Sequence, residues 1–270
     1  MLGPDLASLP LAEVLDVTAF LISMALLSYS SYSDLKTREV SDWVWIVFLP
    51  AASVLLGVRL LSNPDLLAIS VISILVTTSL SFLMLRLGMF GGADAKAFIC
   101  LSVALPRHPL PSIPQLTFVN PVFPLVVLYN AYLFSLSVAI YCLIKNFGYR
   151  YRRGKKLFEG FGSLSPMKRL MALVTGYKVR FEDLRGKVYL YPMEEVTADS
   201  ESRRLKLFID AEADRDMLVK MLGESRGDEE EIWVSPGIPL LFFAWAALIS
   251  STLVGDVLFW MVFQVFSKIL

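Results

Sequence analysis

Leu66–Leu87 reads LLAISVISILVTTSLSFLMLRL, a run with no glycine, no proline and no charge before Arg86. At about 1.5 Å of rise per residue, a helix of this length crosses the ~30 Å hydrocarbon of a bilayer. Working outward, Val17–Ser33, Trp43–Leu61, Val122–Ile144 and Ile238–Phe259 are further apolar runs of spanning character. Ala95–Leu105, opened by Lys96 and closed by Pro106, is a shorter sixth that suits a short or tilted span or a re-entrant segment.

Composition agrees with a membrane class. The chain is 56% hydrophobic and only 19% charged, whereas charged residues approach a quarter of an ordinary soluble domain. The charges are also segregated: 18 of the 25 Lys and Arg and 16 of the 25 Asp and Glu fall between Lys145 and Glu231. That segment reads as a soluble insert, and its slight positive excess lacks the clustered basic face that nucleic acid demands. Within it, Ser163–Gly176 has apolar residues at helical spacing, with Ser165-Pro166 as cap and first-turn pair. Tyr177–Phe181, Lys187–Tyr191, Arg204–Ile209 and Glu231–Val234 read as short strands, and Ala211–Leu222 as a helix.

The expected fold is therefore a polytopic α-helical membrane protein with about six transmembrane helices and a small α+β domain inserted before the last. Residues 1–145 would hold the first five helices, 146–232 the soluble domain and 233–270 the final helix. Orientation follows from the basic residues. Placing Lys36, Arg38, Arg86, Lys96 and the insert in the cytoplasm leaves only Arg59, Arg107 and Lys268 outside. Both termini are then outside a cell membrane, and Glu13 and Asp16 lie near the outer end of the first helix. The first ten residues carry Asp5 and no Lys or Arg, unlike the basic start of a cleaved signal peptide.

Metal and thiol chemistry find little to work with. Cys100 and Cys142 both sit in apolar runs, where cysteine packs as a small hydrophobe. His108, between Arg107 and Pro109, lacks the companions that a zinc site needs. No cofactor is expected. Asp256, near the outer end of the last run, reads as an interfacial charge.

Two other acids are placed more pointedly. Asp34 follows the first apolar run directly, and Asp94 directly precedes the fourth. One helix leaves the membrane where the other enters it, so both carboxylates reach the same surface, and both stand in a D-x-K sequence: Asp34-Leu35-Lys36 and Asp94-Ala95-Lys96. Two carboxylates held close share a proton and titrate as a pair, which lets one activate water while the other protonates a leaving group. Such chemistry needs no metal, serine or histidine, in keeping with a sequence that has no HExxH and no GxSxG. Gly91 and Gly92 would let the backbone approach an extended substrate. Two other readings fit the same charges: interfacial aspartates offset by Lys36 and Lys96, or the relay of a proton-coupled transporter.

Local sequence favours the acid pair. Ser33-Asp34-Leu35-Lys36-Thr37-Arg38-Glu39-Val40 resembles the first motif, D-x-(K/R)-x-R-x-(I/V), of the type IV prepilin peptidase family. Phe90-Gly91-Gly92-Ala93-Asp94-Ala95-Lys96 resembles the second, G-x-G-D followed by x-K, with Ala93 where the strict motif has glycine. Within that family of membrane aspartic proteases the chain is most similar to the archaeal preflagellin peptidases, the FlaK/PibD group. The resemblance covers Ala19–Leu105 and extends to Trp233–Pro239. It implies an aspartic-type endopeptidase of signal peptide processing in the archaellum, with Asp34 and Asp94 catalytic. Gly91, Gly92, Ala93, Lys36, Arg38 and Lys96 would shape the site, and the substrate would be an archaellin or pilin-like precursor whose short basic leader is removed at the cytoplasmic face. Glu39 and Asp42 are candidate contacts for that leader, or solvated loop charges. Bacterial relatives with N-methyltransferase activity carry a tetracysteine zinc domain that this sequence lacks, so methyl transfer is not expected. An intramembrane protease of the presenilin or signal-peptide-peptidase type shares the G-x-G-D motif, but places its aspartates within helices rather than at their mouths.

Overall fold

The computed structural model describes residues 11–110, 120–154, 157–161, 164–195, 204–207, 215–223, 227 and 230–269. The chain divides into two compact units, one taking the residues up to Phe134 and from Pro239 onward, the other Ser135–Ile238. In chain order the first contains α1 (Leu11–Thr37), α2 (Asp42–Ser62), α3 (Leu66–Arg86), α4 (Gly92–Ala104) and the start of α5 (Phe123–Arg153). The second continues α5 and adds α6 (Pro166–Thr175), β1 (Tyr177–Arg180), α7 (Phe181–Arg185), β2 (Leu190–Pro192), β3 (Glu194–Glu195), β4 (Arg204–Leu205), α8 (Arg215–Gly223) and β5 (Glu231–Pro236). The chain returns to the first unit with α9 (Leu240–Leu253) and α10 (Val257–Ile269).

α1, α2, α3 and α5 are each long and apolar enough to cross a membrane, and α9 with α10 makes a fifth such segment if the bent pair is one span. Of the six expected spans, the fourth is the short one that the sequence allowed and the last is broken. The fourth, α4, has 13 residues and reaches only about 20 Å, too short to cross alone. The last is not one helix, because the chain bends by 64° between α9 and α10.

α4 is short because it is the centre of the bundle. It packs against α1, α2, α3 and α9, and Ala95, Ala97, Phe98, Cys100, Leu101, Ser102, Val103 and Ala104 are all buried. Lipid tails are as apolar as leucine, so helices in a bilayer gain little by burying leucine against leucine and associate instead through small residues that admit close approach. α3 follows this rule: it turns Ser70, Ser73, Thr77 and Ser81 inward, while Val71, Ile72, Leu75, Val76, Phe82 and Leu83 are exposed. Ser73 Oγ lies 3.5 Å from the Ser102 carbonyl of α4.

The end of the bundle away from Asp34 is tied by buried charges. Asp16 of α1 pairs with Arg59 of α2 and, at 3.3 Å, with Arg107. Arg59 also donates to the Ala104 carbonyl at the end of α4 at 2.7 Å. Asp16 and Arg59 are 5% and 3% exposed, so Asp16 is an interior clasp rather than a tolerated interfacial charge. Nearby, His108 accepts from the Leu110 N–H, and its Nε2 lies 3.3 Å from the Ser251 carbonyl. The histidine therefore organises a loop.

The α9–α10 break is built from the same economy of polar groups. Gly255 has φ of 96°, a left-handed conformation that favours glycine. Asp256, expected as an interfacial charge, instead caps α10 by accepting from the Phe259 N–H at 2.9 Å. Fully buried Asn130 of α5 donates to Ser251 Oγ and the Gly255 carbonyl, and its oxygen accepts from the Val257 and Leu258 N–H groups. A helix interrupted in an apolar medium must have its freed backbone groups satisfied, and one asparagine supplies most of that here.

In the second unit, β5 is the central strand of an antiparallel sheet of order β1-β5-β2. Strand periodicity sends alternate side chains to opposite faces. Ile232 and Val234 join Cys142, Tyr177, Phe181, Leu184, Leu190 and Leu222 in one core, while Trp233 joins Phe161, Ala172 and Met193 in another. α6 starts as the sequence predicts, with Ser165 Oγ accepting from the Lys168 N–H. α7 was not expected. β2 and β4 are shorter than predicted, and the predicted residues 208–209 and 211–214 lie outside the described part. The unit begins at Ser135 rather than near residue 146 because Val138 and Cys142 of α5 pack into its core.

Removing the carboxylate from the Asp16 clasp leaves two guanidiniums without their shared partner. We expect Asp16→Ala to cost about 3 kcal/mol, read as a lowered melting temperature in detergent, with Asp16→Ala/Arg59→Met recovering part of the loss.

Candidate functional site

Asp34 lies in the last turn of α1, and the chain leaves that helix by an unusual turn. Arg38 has φ of 60°, the one positive value at a non-glycine position among the described residues. For an L-residue this conformation costs roughly 1–2 kcal/mol, so something must hold it. The Arg38 N–H donates to the Asp34 carbonyl at 3.0 Å. The Ser33 hydroxyl reaches over the turn to the Glu39 carbonyl at 2.7 Å, and Thr37 Oγ1 lies 3.1 Å from the same oxygen. The result brings the Arg38 guanidinium to 3.8 Å from the Asp34 carboxylate, with both side chains largely buried.

Asp94 is placed by the start of α4. The five residues between α3 and α4 fold back on α3, where the Met89 and Phe90 N–H groups both donate to the Met84 carbonyl. Phe90 is buried and stacked against Phe98, with ring centroids 5.6 Å apart, and against Tyr132 of α5, with centroids 6.4 Å apart. Gly91 follows as the N-cap in extended conformation, and its N–H donates to Asp94 Oδ2 at 3.0 Å. That bond orients the carboxylate and occupies one of its oxygens. Neither Gly91 nor Gly92 has a positive φ; Gly88 does. A Cβ on Gly91 would stand 3.4 Å from Asp94 Oδ2, and one on Gly92 would meet nothing within 4 Å. Ala93 is helical, so the motif's glycine is not needed for backbone freedom at that position.

α1 and α4 pack together, and Asp34 and Arg38 both lie within electrostatic range of Asp94. The Tyr132 hydroxyl is within range of Asp94 as well. The Asp34–Arg38 pair at the end of α1 and Asp94 at the start of α4 thus lie on packed helices and within electrostatic range of one another. The remaining sequence candidates lie around them. Lys36 is exposed and sits over the Tyr32 ring at 5.8 Å. Lys96 pairs with Asp42 at 2.5 Å, joining the starts of α4 and α2 in an exposed ion pair. Glu39 is exposed and contributes its carbonyl to the Arg38 turn. Among the described residues no three His, Cys, Asp or Glu side chains converge as a metal set.

Tyr132 and Phe90 were not singled out from the sequence. A signal existed for the first: Asn130 and Tyr132 are polar-tipped residues inside an apolar run, and polar groups at membrane depth have a reason to be there.

The fold is that of a helical protein with several membrane-spanning candidates, with Asp34 in the last turn of α1 and Asp94 in the first turn of α4. Residues 21–143, which include Asp34, Arg38, Asp94 and Tyr132, match the Type IV leader peptidase family. Residues 168–257 match the archaeal Peptidase A24 C-terminus, Type II. The chain thus carries a type IV leader peptidase family domain followed by an archaeal Peptidase A24 C-terminal domain, and it is a membrane peptidase. Similar proteins include the preflagellin peptidase of Methanocaldococcus jannaschii, 28% identical over 245 residues, covering 88% of this chain and 94% of that one. Those of Methanococcus maripaludis and Methanococcus voltae are 25% and 24% identical, each covering 88% of this chain and 95% of the relative.

The strained turn can be separated from the charge it carries. We expect Arg38→Gly to be more stable than Arg38→Ala by about 1 kcal/mol, although both lack the guanidinium; equal melting temperatures would mean that the left-handed turn relaxes without cost.

Proposed function

We propose that this peptidase is an aspartic endopeptidase that removes the short basic leader of archaellin or pilin-like precursors, using Asp34 and Asp94 at the cytoplasmic face. The observation that carries the reading is the electrostatic proximity of these two acids on the packed helices α1 and α4, inside the segment that matches the leader peptidase family. The relatives named preflagellin peptidase align over 88% of the chain, which supports the substrate class. The distribution of Lys and Arg supports the orientation.

In the ready state the pair holds one proton. The ionised carboxylate takes a proton from water as the water oxygen bonds to the scissile carbonyl carbon, and the protonated partner donates to the carbonyl oxygen. Collapse of the tetrahedral species breaks the C–N bond, with a proton passing to the departing amine nitrogen, and the pair again holds one proton. The Gly91 N–H keeps Asp94 oriented through Oδ2, leaving Oδ1 for the proton transfers. Arg38, 3.8 Å from Asp34, favours the ionised form of its neighbour by simple attraction. Methyl transfer is not part of the proposed activity, because the chain has only the cysteines Cys100 and Cys142 and no tetracysteine domain.

Purified protein in detergent with a precursor archaellin tests this directly. Asp34→Asn and Asp94→Asn are each expected to lower kcat by at least about a thousandfold, while a chelator leaves the rate unchanged. Parental rates in both variants would eliminate the acid pair. The pH profile of kcat should be bell-shaped. Activity falls at low pH, when both carboxyls are protonated and no base remains, and at high pH, when both are ionised and no acid remains.

The basic leader gives a second test. Glu39→Gln and Asp42→Asn are expected to raise KM about two- to fivefold at low ionic strength with little change in kcat, and salt should erase the difference. Asp42→Asn also frees Lys96, which adds repulsion toward a basic leader. An unchanged KM at low salt would leave both acids as solvated loop charges.

A further inference from the structure

α6 turns apolar side chains away from the core of its own unit. Its inward residues are Ala172 and Leu173, which pack with Phe161, Met193 and Trp233. On the other side Met167, Leu170 and Met171 recur at the i, i+3, i+4 spacing of one helical face, and they are 63%, 55% and 45% exposed. Lys168, at the border of that face, is exposed as well. A helix that only packs on a core in water keeps its outer face polar, so this second apolar face has a different medium to meet.

The attachment of α6 indicates which medium. Buried Asn146 of α5 donates to the Leu173 and Gly176 carbonyls at 3.0 and 2.8 Å, so the C-terminal end of α6 is bonded to α5 at that residue. Asn146 is two residues past Ile144, where the apolar run of α5 ends, or about 3 Å along the helix axis. The end of α6 therefore stands at the level where α5 leaves the hydrocarbon. Ile144, Phe147 and Tyr151 carry an exposed stripe of α5 through that level, and tyrosine is favoured at such a lipid–water boundary.

Charge points the same way. From Lys145 to Glu231 the balance is nearly even, but the signs are sorted along the chain. Lys145–Arg180 has ten Lys and Arg and one acid, Glu159, whereas residues 181–231 have eight Lys and Arg and 15 acids. A basic cluster directly after a span attracts anionic headgroups, and an apolar helical face flanked by basic residues settles into the headgroup boundary. A protein partner accounts for the exposed methionines alone; a lipid surface also accounts for their level and for the charge.

We propose that α6 is a membrane-surface helix, which lays Met167, Leu170 and Met171 into the headgroup boundary where α5 ends and, with the basic residues around it, gathers anionic lipid there. The inference is independent of the chemistry assigned to Asp34 and Asp94.

The experiment uses the full-length protein in nanodiscs of phosphatidylcholine and phosphatidylglycerol. Met171→Cys and, as an independent position, Leu170→Cys are labelled with a nitrobenzoxadiazole dye; Cys100 and Cys142 are buried and stay unlabelled. The dye is then quenched by nitroxide on the lipid or by iodide in the water. Nitroxide high on the acyl chain should quench at least about threefold more than nitroxide near the chain end, with little effect of iodide, as for a helix lying roughly 5–10 Å into the boundary. At equal mole fraction, the nitroxide on phosphatidylglycerol should quench about twofold more than on phosphatidylcholine at low salt, and high salt should make the two equal. Strong quenching by iodide with none by lipid means a face open to water. A dye reached by neither quencher means a face covered by protein, whether a second copy or another partner. Either result overturns the inference, and equal quenching by the two headgroups at low salt overturns its anionic-lipid part.

Discussion

The close packing of α4 among four neighbouring helices is the constraint from which the rest of the first unit follows. A 13-residue helix cannot reach across a bilayer, so it has to be held by protein on all sides. Alanine, serine and cysteine make that approach feasible, and the inward serines and threonine of α3 meet them. Tight packing in turn limits where the first turn of α4 can lie, and Asp94 is in that turn. The neighbouring loop must fold back onto α3 to start so short a helix, which buries Phe90 and aligns Gly91 with the carboxylate.

Charge is handled differently at the two ends of this bundle. At the Asp16 end, one carboxylate and two arginines compensate each other, and Arg59 also closes the end of α4 by donating to the Ala104 carbonyl. Buried charges are tolerated when they are paired and hydrogen-bonded in this way. At the Asp34 end, two like charges are brought into range of each other with one arginine beside them. That arrangement opposes stability, since like charges repel and one arginine cannot pair with both as fully. Under the proposed function, it is the kind of local conflict that an active site retains. The left-handed Arg38, held by hydroxyl contacts to the Glu39 carbonyl, is a second one.

The two polar devices in the rest of the bundle, Asn130 and Asp256, show why interior polar residues need separate readings. Both are buried and polar, yet they serve the backbone at the α9–α10 break. Tyr132, two residues beyond Asn130 on the same helix, turns toward Phe90 and the Asp94 turn instead. Helical geometry puts positions i and i+2 on different faces, so neighbours in the sequence serve different sites.

Read alone, the sequence determined the membrane class, the β5 strand and the place of Asp34 and Asp94 at the edges of apolar runs, because each is written in local composition or in short motifs. Length and apolarity specify a span, alternation specifies a strand, and an acid at the edge of an apolar run stands out wherever it occurs. What it left open depends on which helix faces which. Asp16 with Arg59 and Arg107, Asn130 with the α9–α10 break, Lys96 with Asp42, and Tyr132 with Phe90 are contacts between residues 42 to 128 positions apart. Nothing in the local pattern pairs them, because lipid-facing and buried faces of these helices are almost equally apolar. Only the packed bundle, in which small residues choose the neighbours, brings these partners together.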